Sequence, residues 1–256
     1  MKRIFYIAIL IFLVSSCTSK KQLVYLQDLD KESTEDFVLN QPKEYSIKNR
    51  DILYIKFITL DQNTNMLFNA VSGTQANMFR DESSIYIDGY VVSDSGYIDL
   101  PVIKKVKVEG LTLQQAHEEI SKKSIKFLKD PTVIVKLISF KFTVLGEVNR
   151  PGVYKNFNNQ LTVLEAIGMA GDIGTQGDRE NILVIRPTEN GTKTFRLNLK
   201  DKNILASEAY YLLPNDVVYV EPTNSKVFQL NIPTVSLFLT GVSSLILILN
   251  FINNQK

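Results

Sequence analysis

The sequence predicts an α+β chain: two small β-rich modules followed by one C-terminal transmembrane helix. Three observations predict it. Short runs rich in β-branched and aromatic residues recur from residue 52 to residue 220, with only two clear helix starts among them. A second kind of segment, Val235–Ile252, is apolar and carries no charge. The composition, 45% apolar and 22% charged over 256 residues, is that of a folded globular chain with attachments and excludes disorder throughout.

The elements follow in order. Lys2 and Arg3 precede an uncharged run from Ile4 to Val14. As helix it would reach only about 16 Å, too short to cross a bilayer, so residues 1–16 read as a secretory signal. Leu13-Val14-Ser15-Ser16-Cys17 resembles a bacterial lipobox, and the single cysteine of the chain stands where that motif requires it. Cys17 is therefore the expected lipidation site, with palmitate-type acyl chains and membrane lipid as partner. More than one chain is needed for stable anchoring. Cleavage there removes Lys2 and Arg3 and leaves equal numbers of cations and anions. Thr18 after the cysteine fits sorting to the outer membrane, and TSKKQ lacks an acidic surface-display cluster, so the body is expected in the periplasm. Residues 17–44 read as a linker.

The first module is expected over 45–138, with strands at 52–58, 97–108 and 132–138. The second is expected over 139–222, with strands at 141–148, 181–186, 193–199 and 216–220. Thr112-Leu113-Gln114-Gln115 and Thr162-Val163-Leu164-Glu165 fit capping boxes. The first helix is read to about Leu128, with Leu113, Ala116, Ile120 and Phe127 on its apolar side; the second stops at Gly171, a left-handed cap. LTLQQAH (111–117) echoes LTVLEAI (161–167), and RDILYI (50–55) echoes NDVVYV (215–220), which suggests two related modules. Residues 60–84 break the pattern and read as a long loop or insertion.

At the far end no charge occurs from Val227 to Gln255, and 12 of the 18 residues Val235–Ile252 are Val, Ile, Leu or Phe. Those 18 cover about 27 Å as a helix, close to the thickness of bilayer hydrocarbon, with Pro233 at the start, so 233–253 is the expected transmembrane helix. At 100° per residue, Ser236, Thr240, Ser243, Ser244, Asn250 and Asn254 share one arc of about 120°. Such a stripe either packs helices closely or faces water in a ring of copies.

Most reactive chemistries are excluded. A net charge of +2 with no basic block argues against nucleic acid. One histidine and one cysteine are too few for a Cys/His zinc site, and no cofactor is expected. The Gly171-x-x-Gly174-x-x-Gly177 run lacks dinucleotide-site spacing and follows a helix instead of a strand. His117, Glu118 and Glu119 are sequential on a helix and point apart. No nucleophile elbow is present. Lys104, Lys105 and Lys107 read as an exposed edge guarded by lysines, or as a contact for an anionic polymer. Tyr154 is read as packing within the second module. The chain has no tryptophan, which suits a conduit better than a tight sugar-binding site.

YSIKNRDILYIKF, GYIDLPVIKKVKVEGLTLQQAHEEI and DPTVIVKL together resemble the export domain of Wza-type polysaccharide biosynthesis/export proteins. FTVLGEVNRPGVYKNFNNQLTVLEAIGMAGDIGTQGDRENILVIR and LLPNDVVYVEP resemble the soluble-ligand-binding β-grasp (SLBB) module that follows it. Two departures stand out: Asn49-Arg50-Asp51 where the family has Pro-Gly-Asp, and Ala170-Gly171-Asp172 where it has Ala-Gly-Gly. The resemblance implies a non-enzymatic outer-membrane lipoprotein whose copies form a ring and export capsular polysaccharide or exopolysaccharide. Ser236, Thr240, Ser243, Ser244 and Asn250 would then face the lumen. It also implies an inner-membrane partner, a chain-length regulator or tyrosine autokinase. The alternative is a membrane-tethered periplasmic module that binds polysaccharide or a partner and forms no pore.

Overall fold

The computed structural model of the protein describes residues 24–28, 40–69 and 89–254. Cys17, the signal segment and most of the expected insertion lie outside the described residues. Two apolar cores, joined through Leu137, organise the rest.

In the first module, β1 (Ile52–Ile58) is central to a three-stranded antiparallel sheet, between β2 (Tyr90–Val91) and β5 (Thr132–Leu137). Alternation along β1 sends Leu53, Ile55 and Phe57 inward, and in register they face Leu137, Val135 and Val133. Helix α1 (Gln62–Phe68), capped by Asp61, continues from β1 and folds back on it. The Asn69 side-chain amide donates to the Phe57 carbonyl and accepts from its N–H, both at 2.8 Å, and Phe68 meets Phe57 edge-on at 6.1 Å. The segment read as a loop from residue 60 thus begins with a helix held by specific contacts. Helix α2 (Leu113–Ser124) starts at the expected capping box and buries Ala116 and Ile120. It ends four residues before the expected boundary. Phe127 is exposed and Leu128 takes the buried place, because the chain tightens into a turn in which the Ser124 carbonyl accepts the N–H groups of both Phe127 and Leu128.

The expected strand 97–108 is two strands, β3 (Tyr97–Leu100) and β4 (Lys104–Lys107), paired as a hairpin with Leu100 opposite Lys104. Pro101 cannot donate to a ladder, and Val102 and Lys104 take left-handed backbone (φ 62° and 66°), so the chain reverses instead of extending. Ile98, Leu100, Val106 and Val108 still point into the core, which is why the run read as one strand.

The second module is a mixed five-stranded sheet of order β7-β6-β10-β8-β9. Its strands are β6 (Lys141–Gly146), β7 (Gly152–Lys155), β8 (Gly177–Thr188), β9 (Gly191–Leu197) and β10 (Val217–Pro222). β10 is parallel to β6 and antiparallel to β8, the pairing of a β-grasp sheet. β7, unexpected from sequence, pairs with β6, and Tyr154 stacks on Phe142 at 5.6 Å against the core, as expected. Helix α3 (Val163–Met169) crosses the inner face, burying Val163, Ala166 and Ile167. It closes as anticipated at Gly171 (φ 77°): the N–H groups of Gly171 and Asp172 donate to the Gly168 and Ile167 carbonyls.

The sequence echo RDILYI/NDVVYV corresponds to one turn built twice. Lys48–Asp51 and Leu213–Asp216 each reverse the chain before a central strand, with Arg50 and Asn215 both at φ 69°. In each, the aspartate side chain accepts from the backbone N–H three residues earlier, at 2.8 Å. Asp51 also accepts from Tyr45 Oη and Ser139 Oγ; burial, then the charge of Asp51, pushes the Tyr45 phenol far up. Asp216 is fully buried and holds Arg186 through Nε and Nη2, at 3.1 and 2.8 Å. Burial raises the Asp216 carboxyl, opposed by Arg186 and the Leu213 N–H.

Helix α4 (Asn224–Asn254) begins directly after β10, nine residues earlier than expected, so Pro233 lies inside it. The root extends because β10 feeds it without a loop. Among the described residues no helix is long and apolar enough to cross a membrane. The transmembrane part of the expected architecture is therefore not established by the fold.

Two stability predictions follow from the paired turns. Arg50→Gly should raise unfolding free energy by about 0.5–1 kcal/mol in urea titration, because glycine adopts φ 69° without the side-chain clash. Asp216→Ala should cost about 3–5 kcal/mol by stranding the Arg186 charge, whereas Arg186→Met combined with Asp216→Leu should cost less than the single change.

Candidate functional site

Two attachments converge on one end of the β-grasp module, the end where β6 and β10 finish. The first is the root of α4. Lys226 donates to Glu147, Gln176 pairs with Gln229 through their side-chain amides, and the Thr223 N–H donates to the Gln176 carbonyl at 2.8 Å. The glycine run at 171–177 makes this approach possible. Gly174 donates its N–H to the Glu147 carbonyl at 2.8 Å, and a Cβ on Gly177 would stand 2.7 Å from that same oxygen. Its spacing serves backbone packing, not phosphate binding.

The second attachment is the segment 24–28, which lies beyond the expected signal cleavage point. Leu26 and Gln27 donate their N–H groups to the Leu199 and Lys200 carbonyls at 3.0 and 2.7 Å, and Asp28 accepts from the Lys202 N–H at 2.7 Å. Tyr25 lies over the Arg179 guanidinium, 5.5 Å from ring centroid to Cζ, and its hydroxyl donates to Asp172. Arg179 is buried. Burial, then the Asp172 contact, pushes the Tyr25 phenol up to about 12. Asp172, one of the departures noted in the sequence, takes a left-handed backbone (φ 72°), which Asp tolerates better than most residues. Further on, Asn40 Nδ2 donates to the Leu205 and Ser207 carbonyls, and Lys43 pairs with Glu208 at 2.8 Å. The described parts of the expected linker thus lie along the β-grasp module. A cleft beside this contact, lined by Asn40, Arg186, Glu208 and Tyr211, has its charges already paired within the protein.

The residues expected to face a lumen are all on α4 and all exposed: Ser236, Thr240, Ser243, Ser244 and Asn250. The structure adds how three of them satisfy their hydroxyls. Ser236 donates to the Pro233 carbonyl at 2.9 Å, Thr240 to Ser236 and Ser243 to Leu239 at 2.8 Å each. Each donor is satisfied within the helix, leaving oxygen lone pairs to accept. Asn254 is helical, but its side chain is outside the described set.

The enzyme candidates do not assemble. Among the described residues no group of His, Cys, Asp or Glu could hold a metal ion. His117 is half-buried on α2 with Nδ1 unpartnered, and Glu118 pairs with Gln114 instead of the histidine. Sequence reasoning missed Tyr25, Arg179, Glu147 and Lys226, whose roles depend on contacts across 79 to 154 residues. The one available signal was Asp172 in place of glycine.

The fold is thus an α+β module with a capped helix, followed by a β-grasp sheet that leads into helix α4. Residues 39–138 match the family described as polysaccharide biosynthesis/export protein, and residues 140–220 match the SLBB domain. The chain thus carries a domain of the polysaccharide biosynthesis/export type followed directly by an SLBB domain. It is 34% identical over 149 residues to the EPS I polysaccharide export outer membrane protein EpsA of Ralstonia solanacearum. It is 33% identical over 151 residues to the protein of the same name from Ralstonia nicotianae. Each match covers 56% of this chain and 38% of the relative, so the chain spans well under half the length of these proteins.

The docking of segment 24–28 is testable by hydrogen exchange on the whole protein. Tyr25→Ala should speed exchange of the Leu26 and Gln27 amides about tenfold, the equivalent of one lost hydrogen bond. In the wild type the same amides should lose protection as pH rises from 10.0 to about 12, because a phenol raised in the folded state stabilises docking only while protonated.

Proposed function

We propose that the chain is an outer-membrane lipoprotein that exports capsular polysaccharide or exopolysaccharide from periplasm to cell surface through a ring of identical subunits. The observation that carries the reading is the order of the two matched domains, followed directly by an apolar helix. The named activity of the two Ralstonia relatives supports polysaccharide as the cargo and the outer membrane as the location.

Lipid on Cys17 and helix α4 both anchor the subunit. Support for α4 comes from its full sequence, 12 of 18 residues from Val235 being Val, Ile, Leu or Phe, and from exposed side chains such as Leu237, Phe238 and Phe251. Leaving such side chains in water forgoes about 1.5–3 kcal/mol each. Segment 24–28 and the α4 root meet the β-grasp module at the same end, which suits two anchors entering one membrane. The stripe of Ser236, Thr240, Ser243, Ser244 and Asn250 gives the lumen weak acceptors that polymer hydroxyls can exchange. An inner-membrane chain-length regulator or autokinase is the partner the family implies.

The intrahelical bonds of Ser236, Thr240 and Ser243 favour a second reading, a tethered binding module without a pore, since those hydroxyls need no water. Native mass of the detergent-extracted protein separates the two. A closed ring is expected, and monomers or dimers alone would refute the channel. Ser236→Leu with Thr240→Leu should leave the ring intact and lower polymer export several-fold; undiminished export would assign the stripe to helix packing.

A further inference from the structure

The end of the molecule opposite α4 has a chemistry of its own. β6 and β10 run from the module junction toward α4, so the junction, at Ser139 and Asp216, lies at their starts. From that junction β1 leads outward and β5 returns, and α2 begins beside it, where Thr112 bridges Ser46, and runs outward too. The end of α2, the start of β5 and the tip of the β3–β4 hairpin therefore share the far pole. A contact links them: Lys123 Nζ donates to the Lys105 carbonyl at 3.1 Å.

Six lysines collect there: Lys104 and Lys105 from the hairpin, and Lys122, Lys123, Lys126 and Lys129 from the α2 terminus. In sequence these are two unrelated groups 18 residues apart, and only the fold makes them one surface. None forms an ion pair with a described residue, although Asp99 stands opposite Lys105 in the ladder and Asp130 follows Lys129. Lys107, next along β4, is by contrast paired with Glu109 at 2.8 Å. A lysine-guarded edge would explain the hairpin alone but not the four lysines beyond it.

We infer that this pole binds anionic polysaccharide, attracting a carboxylate-bearing polymer to the module end remote from α4. Every cation in it is lysine. A strongly hydrated ammonium lacks the planar fork with which arginine grips a carboxylate bidentately, so the surface attracts without holding, as a transported polymer requires. Ile125 and Phe127 stand exposed among the lysines and also suit a lipid surface. The position argues against the membrane that α4 would enter, since two modules with strands of about 20 Å each intervene. The inference rests on the export reading for its natural polymer, and it names that polymer's class.

The test uses full-length detergent-solubilised protein, with alginate as acidic polymer and dextran as neutral control. Binding to alginate at 20 mM NaCl, at least about tenfold weaker at 300 mM, is expected from screening of exposed charges, with none to dextran. Lys122→Glu with Lys126→Glu and Lys129→Glu should reduce it more than about tenfold while native mass and circular dichroism stay unchanged. The Lys→Arg triple should retain binding, which excludes misfolding as the cause. Unaltered alginate binding by the Glu triple, or none by the wild type, overturns the inference. So does lysine-dependent capture by phosphatidylglycerol nanodiscs without alginate binding. Export that persists in cells lacking the protein would refute the export reading and leave the binding result standing.

Discussion

The buried contact between Asp216 and Arg186 sets the position of β10, and much of the molecule depends on where that strand begins. Asp216 is fully enclosed, accepts the Leu213 N–H across its own turn and holds the guanidinium through two nitrogens. Arg186 in turn donates to the Tyr211 carbonyl at 2.9 Å, tying the segment before β10 to β8. Neither charge can be removed alone without stranding the other in a region water does not reach. With its start fixed, β10 lies between β6 and β8 in one register, and its far end delivers the chain straight into α4.

That delivery explains why so much of the polar chemistry of the β-grasp module is spent at one end. Glu147, Gln176 and the glycines between Gly171 and Gly177 surround the root of the helix, and the neighbouring Asp172 and Arg179 receive Tyr25. Segments from opposite ends of the chain are held beside each other by side chains of a single module. The first module carries the same turn as the second but uses its aspartate differently. Asp51 accepts from Tyr45 and Ser139, neutral donors at the junction, where Asp216 holds a cation. One local solution to starting a central strand thus serves once as a tie at the module junction and once as an internal lock.

The two departures from the family's glycine pattern both take a left-handed backbone, the conformation glycine adopts without strain. Arg50 and Asp172 both sit at left-handed φ, a cost of about 1–2 kcal/mol for a residue with a Cβ. At Asp172 the cost is offset by a side chain that accepts from Tyr25 and from the N–H of Ile173. Arg50 gains an exposed pair with Asp94 at 3.3 Å, which contributes little in water.

Periodicity, capping residues and family motifs determined most of the element types, the two-module order, both capping boxes and the Gly171 stop, because each depends on residues within a few positions of one another. The echo of Asp51 and Asp216 was legible for the same reason. Four features were decided only by tertiary structure. The run 97–108 alternates correctly for one strand, and only the reversal at Pro101–Ile103 makes it a hairpin. Helix α4 starts at Asn224 because β10 and Glu147 hold its first turn, a constraint with no local signature. The docking of Tyr25 and the gathering of lysines at the far pole join residues distant in sequence, and hydropathy or spacing cannot carry information about partners that only the fold brings within reach.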